Sequence, residues 1–376
     1  MKKILKMTLI LIIAFISVTI IGLSVFFNFA PQIGSKAEGE RLEKMFDASN
    51  YRQGKFHNTV PTDMSFNSSK MAGTMWEFIK GNTNRQPSEE IAVPKFNKEE
   101  FVNTNSDSIA FTWFGHSSLL IKIDGRILLI DPVFSERASM FTFMGPKRFP
   151  YSNYMDVEQL PELDAVLISH DHYDHLDYET ILQLKDKVDR FFVPLSVGAH
   201  LEQWGIPASN ITELNWWDSL DFEDLKLVFT PSRHFSGRGL NNRFSTLWGS
   251  WVIIGRQQRL FFGGDSGYFD GFKEIGDKYG PFDLTFLECG AYNENWANIH
   301  MMPEETVQAH IDLKGRYLMP IHWGKFDLSL HPWKEPILRA TTKGKELDVL
   351  FMTPEIGVIN ILNNNPETSE WWQKYN

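Results

Sequence analysis

Hydrophobic and polar positions divide this chain into three stretches. From residue 7 to residue 30 no residue is charged and most are apolar. A helix over that run, at about 1.5 Å rise per residue, is roughly 36 Å long and crosses a hydrocarbon core of about 30 Å. A cleavable signal has a shorter apolar run of about 7–15 residues and an Ala-x-Ala-like site. Here the corresponding site reads Asn28-Phe29-Ala30 with Pro31 behind it, which favours an uncleaved anchor over residues 1–30. Lys2, Lys3 and Lys6 precede the span and predict a cytoplasmic N-terminus, with the rest of the chain outside the cytoplasm.

Residues 31–108 are polar and irregular, with Asn67-Ser68-Ser69 and Asn82-Thr83-Asn84 among them. They read as a spacer and cover, with a short helix around residues 70–80. At residue 109 the pattern changes. Short apolar segments cover 109–114, 119–123 and 127–130, and Asp124-Gly125 between the last two is a strong hairpin signal. Further strands are predicted over 165–169, 191–194, 225–230, 246–254, 260–263, 284–287 and 317–320. One helix follows Tyr178. Another runs from Pro303 to residue 313, with Pro303 at the favoured first position, Glu304 and Glu305 in the first turn and Gly315 past the end. Strands that come first in hairpins and then alternate with helices predict two mixed sheets with helices outside, spanning 109–376.

Composition narrows the function classes. Of 376 residues 43% are hydrophobic and 22% charged, enough for a sizeable core. The net charge of -10 repels a phosphate backbone, which argues against a nucleic-acid partner. Cys289 is the single cysteine, so an internal disulfide and a cysteine-based zinc site are excluded.

The strongest chemical signal is His170-Asp171-His172-Tyr173-Asp174-His175, directly after the strand predicted over 165–169. Residues two apart in an extended segment point the same way, so His170 and His172 can bind one metal. Asp174 and His175, on the turning chain, can face a second. Imidazole and carboxylate both suit zinc. More ligands stand at later strand ends: His234, Asp265 and His322. Taken singly, His234 and His322 read as rim histidines and Asp265 as a turn former; beside the first motif they read as metal ligands.

Trp113-Phe114-Gly115-His116-Ser117-Ser118, Ile130-Asp131-Pro132, the 170–177 segment, Gly264-Asp265-Ser266-Gly267-Tyr268, Gly290-Ala291-Tyr292, His300-Met301-Met302-Pro303 and Ile321-His322-Trp323-Gly324 complete a pattern. From about residue 109 to residue 362 the chain resembles the metallo-β-lactamase superfamily. It closely resembles the branch containing N-acylphosphatidylethanolamine-hydrolysing phospholipase D. The resemblance implies an α/β fold of αββα-sandwich type behind one N-terminal transmembrane helix. It implies two zinc ions: His170, His172 and His234 on one, Asp174, His175 and His322 on the other, and Asp265 bridging both. Zinc lowers the pKa of bound water from 15.7 to roughly 7, so the nucleophile needs no serine or cysteine. Catalytic roles then fall to Asp265, which holds both metals, and to His300. In the family the histidine matching His300 lies near the active site, so His300 could contact the phosphate or protonate the leaving alcohol. The plainer reading of His300 is a surface histidine before a helix.

Other polar residues have plainer readings. His116 and Ser117 resemble a structural turn rather than a nucleophile pair. Asp131 reads as a partner that pins the metal loop rather than as a ligand. Trp216-Trp217 reads as core or rim. Arg137, Lys147 and Arg148 could meet lipid phosphates, but read as a solvated loop. The expected activity is that of a phosphodiesterase acting on a lipid or small organophosphate near a membrane. The alternatives are a lactonase or related ester hydrolase, and a membrane-tethered protein whose metal site is not catalytic. Iron-based oxygen chemistry is disfavoured, because family members that perform it usually carry glutamate where this chain has His172. The oligomeric state is not legible.

Overall fold

In the strands after residue 109 successive side chains enter different cores, and this period-two division sets the layers. The computed structural model describes residues 2–64, 73–74, 76–77, 80–81, 84–362 and 368–376. The helix expected around residues 70–80 lies partly outside them; positions 73–74, 76–77 and 80 are helical.

A small hairpin, β1 (Tyr51–Arg52) and β2 (Lys55–Phe56), precedes the main body. The next strands are β3 (Ala110–Trp113), β4 (Leu119–Ile123), β5 (Arg126–Ile130), β6 (Ala165–Leu167), β7 (Phe191–Pro194) and β8 (Ile211–Leu214). They are followed by β9 (Ser219–Phe222), β10 (Leu225–Thr230), β11 (Ser250–Ile254), β12 (Arg259–Phe262), β13 (Phe282–Glu288), β14 (Gly315–Ile321) and β15 (Leu350–Phe351). A last strand, β16 (Ile359–Ile361), returns to pair with β3. Two seven-stranded sheets result, in the orders β16-β3-β4-β5-β6-β7-β8 and β15-β14-β13-β12-β11-β10-β9. Each begins with antiparallel hairpins and ends in parallel pairs, β5 to β8 in one and β12 to β15 in the other. The hairpin predicted at Asp124-Gly125 joins β4 to β5. Both residues take positive φ, 50° and 79°, as a two-residue primed turn requires.

Phe111, Ile121, Leu128, Leu227, Trp251, Phe262 and Phe286 share one core between the sheets. Their neighbours Leu120, Leu129 and Val166 face outward against Ile181, Leu184 and Leu201 of the helices Tyr178–Leu184 and Gly198–Gln203. Val228, Val252 and Phe261 face the opposite way, against Phe272, Ile275 and Val307 of the helices Gly271–Tyr279 and Pro303–Asp312. The order is therefore helix, sheet, sheet, helix. Because both faces of each sheet are covered, strands such as Ala165–Leu167 read as unbroken apolar runs and not as alternating ones. Strands β8, β9, β15 and β16 and the helix Glu335–Glu346 carry no comparable signal. They are short, partly exposed or polar.

The N-terminal run is one helix, Lys2–Phe29, and residues 3–27 are long and apolar enough to cross a membrane, with none of that stretch buried. The chain then lies against the sandwich. Trp204 Nε1 donates to Pro31 O at 2.6 Å and Arg238 Nε to Gln32 O at 2.8 Å. Arg41 pairs with Glu202 and Glu213 at 2.9 and 2.7 Å.

Candidate metal centre

Strands that run in parallel release their loops at one end, where functional side chains gather. β6 delivers His170 to His175, the segment after β10 delivers His234, β12 delivers Asp265 and β14 delivers His322. All the side chains singled out from the sequence as metal ligands converge there. His170, His172, His234 and Asp265 form one group and Asp174, His175 and His322 fall in a second, the ligand-type atoms of each lying within 4.8 Å of one another. His172 Nδ1 lies 2.9 Å from His170 Nε2 and 3.2 Å from His234 Nε2. Asp265 touches both groups: Oδ2 stands 3.7 Å from His170 Nε2 and from His234 Nε2 and 3.0 Å from His322 Nε2, while Oδ1 is 3.1 Å from His175 Nε2.

The opposite ring nitrogens are held from behind. His175 Nδ1 donates to Asp131 Oδ2 at 2.7 Å, and His234 Nδ1 donates to Ile299 O at 2.8 Å. His170 Nδ1 meets Ser169 Oγ at 2.9 Å, and that hydroxyl is held by Asp131 Oδ2 at 2.5 Å. Such partners fix the tautomer and aim the other nitrogen inward. Asp171, in the middle of the motif, turns the other way. It accepts from Gly237 N at 2.7 Å and Thr246 Oγ1 at 2.8 Å, and so ties the loop down.

Backbone strain marks the same place. His116, Asp131 and His322 adopt φ of 56°, 42° and 66°, a region that side-chain-bearing residues rarely enter. His116 N donates to Trp323 O at 2.9 Å and His322 N to His116 O at 2.8 Å, so the turn after β3 and the turn after β14 brace each other across the two sheets. Gly290 packs on this bridge; a Cβ there would lie 1.8 Å from His322 O.

The donor set fits cations. His175 Nε2, Asp265 Oδ1 and His322 Nε2 are buried with no hydrogen-bond partner, so their close approaches leave them unsatisfied. Burial, aided by the neighbouring rings, holds His170 and His234 well below the ordinary histidine range, leaving neutral imidazoles with free lone pairs. Burial also opposes the charged form of His322 most strongly, but Asp265 and Asp174 overcome it and push this ring up to about 10. His175 is raised in the same way by Asp265 and Asp174. Without another cation, protons on these two rings neutralise the buried carboxylates. A metal takes over that role and releases the protons.

Two contacts were not foreseen. His116, expected as part of a turn, also brings Nε2 to within 2.9 Å of Asp174 Oδ2. Glu288, at the end of β13, is fully buried and had no motif to announce it. Its Oε1 accepts from Ser266 N and Met301 N, both at 3.1 Å, and its Oε2 accepts from His300 Nδ1 at 2.7 Å. His300 therefore stands beside the centre, its ring 5.0 Å from that of His234 and 5.4 Å from that of His322. The only clue in the sequence was an acidic residue directly after the mostly apolar run 284–287.

A family profile described as a beta-lactamase superfamily domain matches residues 126–323. The chain belongs to the metallo-β-lactamase superfamily. An uncharacterized protein of Mycobacterium tuberculosis is 41% identical over 329 residues, 86% of this chain and 87% of its own. N-acyl-phosphatidylethanolamine-hydrolyzing phospholipase D 1 of Caenorhabditis elegans is 36% identical over 268 residues, 66% of this chain and 74% of its own. Among solved structures, a metallo hydrolase from the archaeon Ignicoccus hospitalis has the same fold. It has a TM-score of 0.53 and 20% identity, covering 69% of this chain and all of the other. This superfamily member is a metal-dependent hydrolase whose sequence groups with the phospholipase-D-like branch.

Proposed function

We propose that the protein is a two-zinc phosphodiesterase of phospholipase D type, acting on N-acylphosphatidylethanolamine-like lipids. In this reading a single N-terminal helix holds it at a membrane, with the catalytic domain outside the cytoplasm. The observation that carries the proposal is the convergence of His170, His172, Asp174, His175, His234, Asp265 and His322, with unsatisfied buried atoms, beside the Glu288–His300 pair. His170, His172 and His234 would hold one zinc, Asp174, His175 and His322 the other, with Asp265 between them. When bound, such a pair supplies a Lewis acid for the phosphoryl oxygen and brings the pKa of water from 15.7 toward about 7.

The chain's own residues do the rest. Asp131, Ser169 and Ile299 O fix the rings that face inward. Glu288 accepts the Nδ1 proton of His300 and leaves Nε2 as the nitrogen that meets substrate. As an oxygen from water bonds to phosphorus and the phosphorus–oxygen bond to the alcohol breaks, the doubly protonated ring of His300 would give its Nε2 proton to the departing alkoxide and keep its Nδ1 proton against Glu288. Phe235 supports the choice of a lipid: its ring lies 4.5 Å from that of His172 and 6.3 Å from Phe244. Phe244 in turn lines an open cavity of about 430 Å³ together with Arg52, Lys55, Phe56 and Met64. Apolar and basic side chains there suit an acyl chain and a phosphate.

The test sets the lipid phosphodiester against a lactone, with metal removed and then restored, alongside elemental analysis. Metal-dependent release of the alcohol from the phosphodiester, with about two zincs per chain, supports the reading. Faster turnover of the lactone, or one zinc at saturation, overturns it.

A further inference from the structure

Near the foot of the N-terminal helix an apolar loop stands out from the sandwich. Its base is firm: Ala138 N donates to Pro146 O at 3.1 Å, Arg137 Nη1 donates to Gly145 O at 2.6 Å, and Ala138 packs with Val133 and Phe326. Its tip, Ser139-Met140-Phe141-Thr142-Phe143-Met144-Gly145, has no charged residue. Phe143 is 76% exposed and Met144 53%. Large apolar side chains kept in water on a well-anchored loop call for an apolar partner.

The partner is indicated by what the tip already touches. The Phe141 ring stacks on Phe26, in the last part of the apolar helix, with centroids 4.8 Å apart and planes 24° apart. Phe143 lies against Phe141 at 5.4 Å. A second segment reaches the same foot. Gly239 sits so close to Ile33, just beyond the helix, that a Cβ would be 3.3 Å from Ile33 Cγ2, and the next residue, Leu240, is 72% exposed. Where the helix leaves a bilayer, Phe141, Phe143, Met144 and Leu240 therefore stand beside it. Arg137 and Lys147 face each other across the base of the loop, with Lys147 also paired to Glu136 at 2.7 Å. Arg148 is next in the chain, so the base keeps a net positive charge that suits anionic headgroups.

We propose that the loop 139–145, with Leu240, is a second membrane contact that inserts into the leaflet next to the end of the helix. The basic cluster at its base then meets lipid phosphates and is not a solvated loop. With two attachments the domain is fixed in orientation on the membrane and does not swing on a single tether. The proposal rests on the helix crossing a bilayer and does not depend on the substrate.

The test uses the full chain in proteoliposomes. The single native cysteine, Cys289, is buried, so single Phe143→Cys, Ile16→Cys and Leu347→Cys variants can each carry an environment-sensitive fluorophore. Lipids with a nitroxide at shallow or deep positions, and aqueous iodide, serve as quenchers. The label at 143 is expected to shift to the blue and lose intensity with shallow nitroxide but not with iodide. Labels at 16 and 347 should respond to deep nitroxide and to iodide respectively. If 143 responds to iodide like 347 while 16 responds to lipid, the tip is in water and the proposal fails. Energy transfer between labels at 143 on two copies, without lipid quenching, makes the loop a contact between chains and also overturns it. Iodide quenching at 16 removes the premise, and the proposal with it.

Discussion

Changing Glu288 to glutamine isolates the proton-transfer role of His300 from the metal centre. The carboxylate has two separate duties. Oε1 accepts from the backbone nitrogens of Ser266 and Met301, and Oε2 accepts from His300 Nδ1 at 2.7 Å. In Glu288→Gln the amide oxygen must stay with the two backbone donors, so the amide nitrogen faces Nδ1. There it opposes a protonated ring instead of stabilising it. A hydrogen bond to a charged group contributes about 1.5–3 kcal/mol. At about 1.36 kcal/mol per tenfold, a step that needs the protonated ring should slow about 10–150-fold. The assay compares kcat/KM for a phosphodiester releasing an alkyl alcohol with one releasing nitrophenolate, which leaves without a proton. The alkyl substrate should show the full loss and the nitrophenyl substrate little. The melting temperature should change little, because both Oε1 bonds survive. Equal losses on both substrates, with zinc content unchanged, would refute a proton-donating His300 and leave Glu288 a structural role.

Asp265→Asn and His172→Ala should each abolish nearly all activity on both substrates and lower the zinc bound per chain; full zinc content with normal turnover would contradict the proposed ligand set. A chain beginning at Pro31 should melt near the wild type, whereas one beginning at Lys36 loses the acceptors of Trp204 Nε1 and Arg238 Nε. At about 1–3 kcal/mol for each buried donor left unpaired, its melting temperature should fall by several degrees, and identical curves would refute the linkage. Burial, then the nearby Arg148, pushes Lys325 down to about 7. The unfolded lysine, near 10.4, binds more protons than the folded one between those values, so wild-type stability relative to Lys325→Met should rise from about pH 7 to pH 10. Parallel denaturation curves would refute that shift.

The sequence by itself determined the parts whose physics is local. A long uncharged apolar run makes a helix long and apolar enough to cross a membrane, and Asp124-Gly125 can take the positive φ of a primed turn. The His170–His175 segment puts side chains able to hold a metal at the end of a strand whatever the rest of the chain does. The apolar strands and the helix from Pro303 were legible because hydrophobic runs and caps act within a few residues. The weak strands β8, β9, β15 and β16 were not legible, since pairing with neighbours far along the chain holds them in place. The motif pattern assigned Asp174, and not Asp171, to a metal; tertiary structure alone supplied the contacts that turn the two apart. Asp171 and Asp174 are alike in sequence, but Gly237 and Thr246 draw Asp171 outward and His116 meets Asp174. Nor could spacing place Glu288 behind His300, or Phe141 against Phe26, because neither pair is close in the chain. Such contacts form only when sheet packing closes loops of different lengths onto one edge.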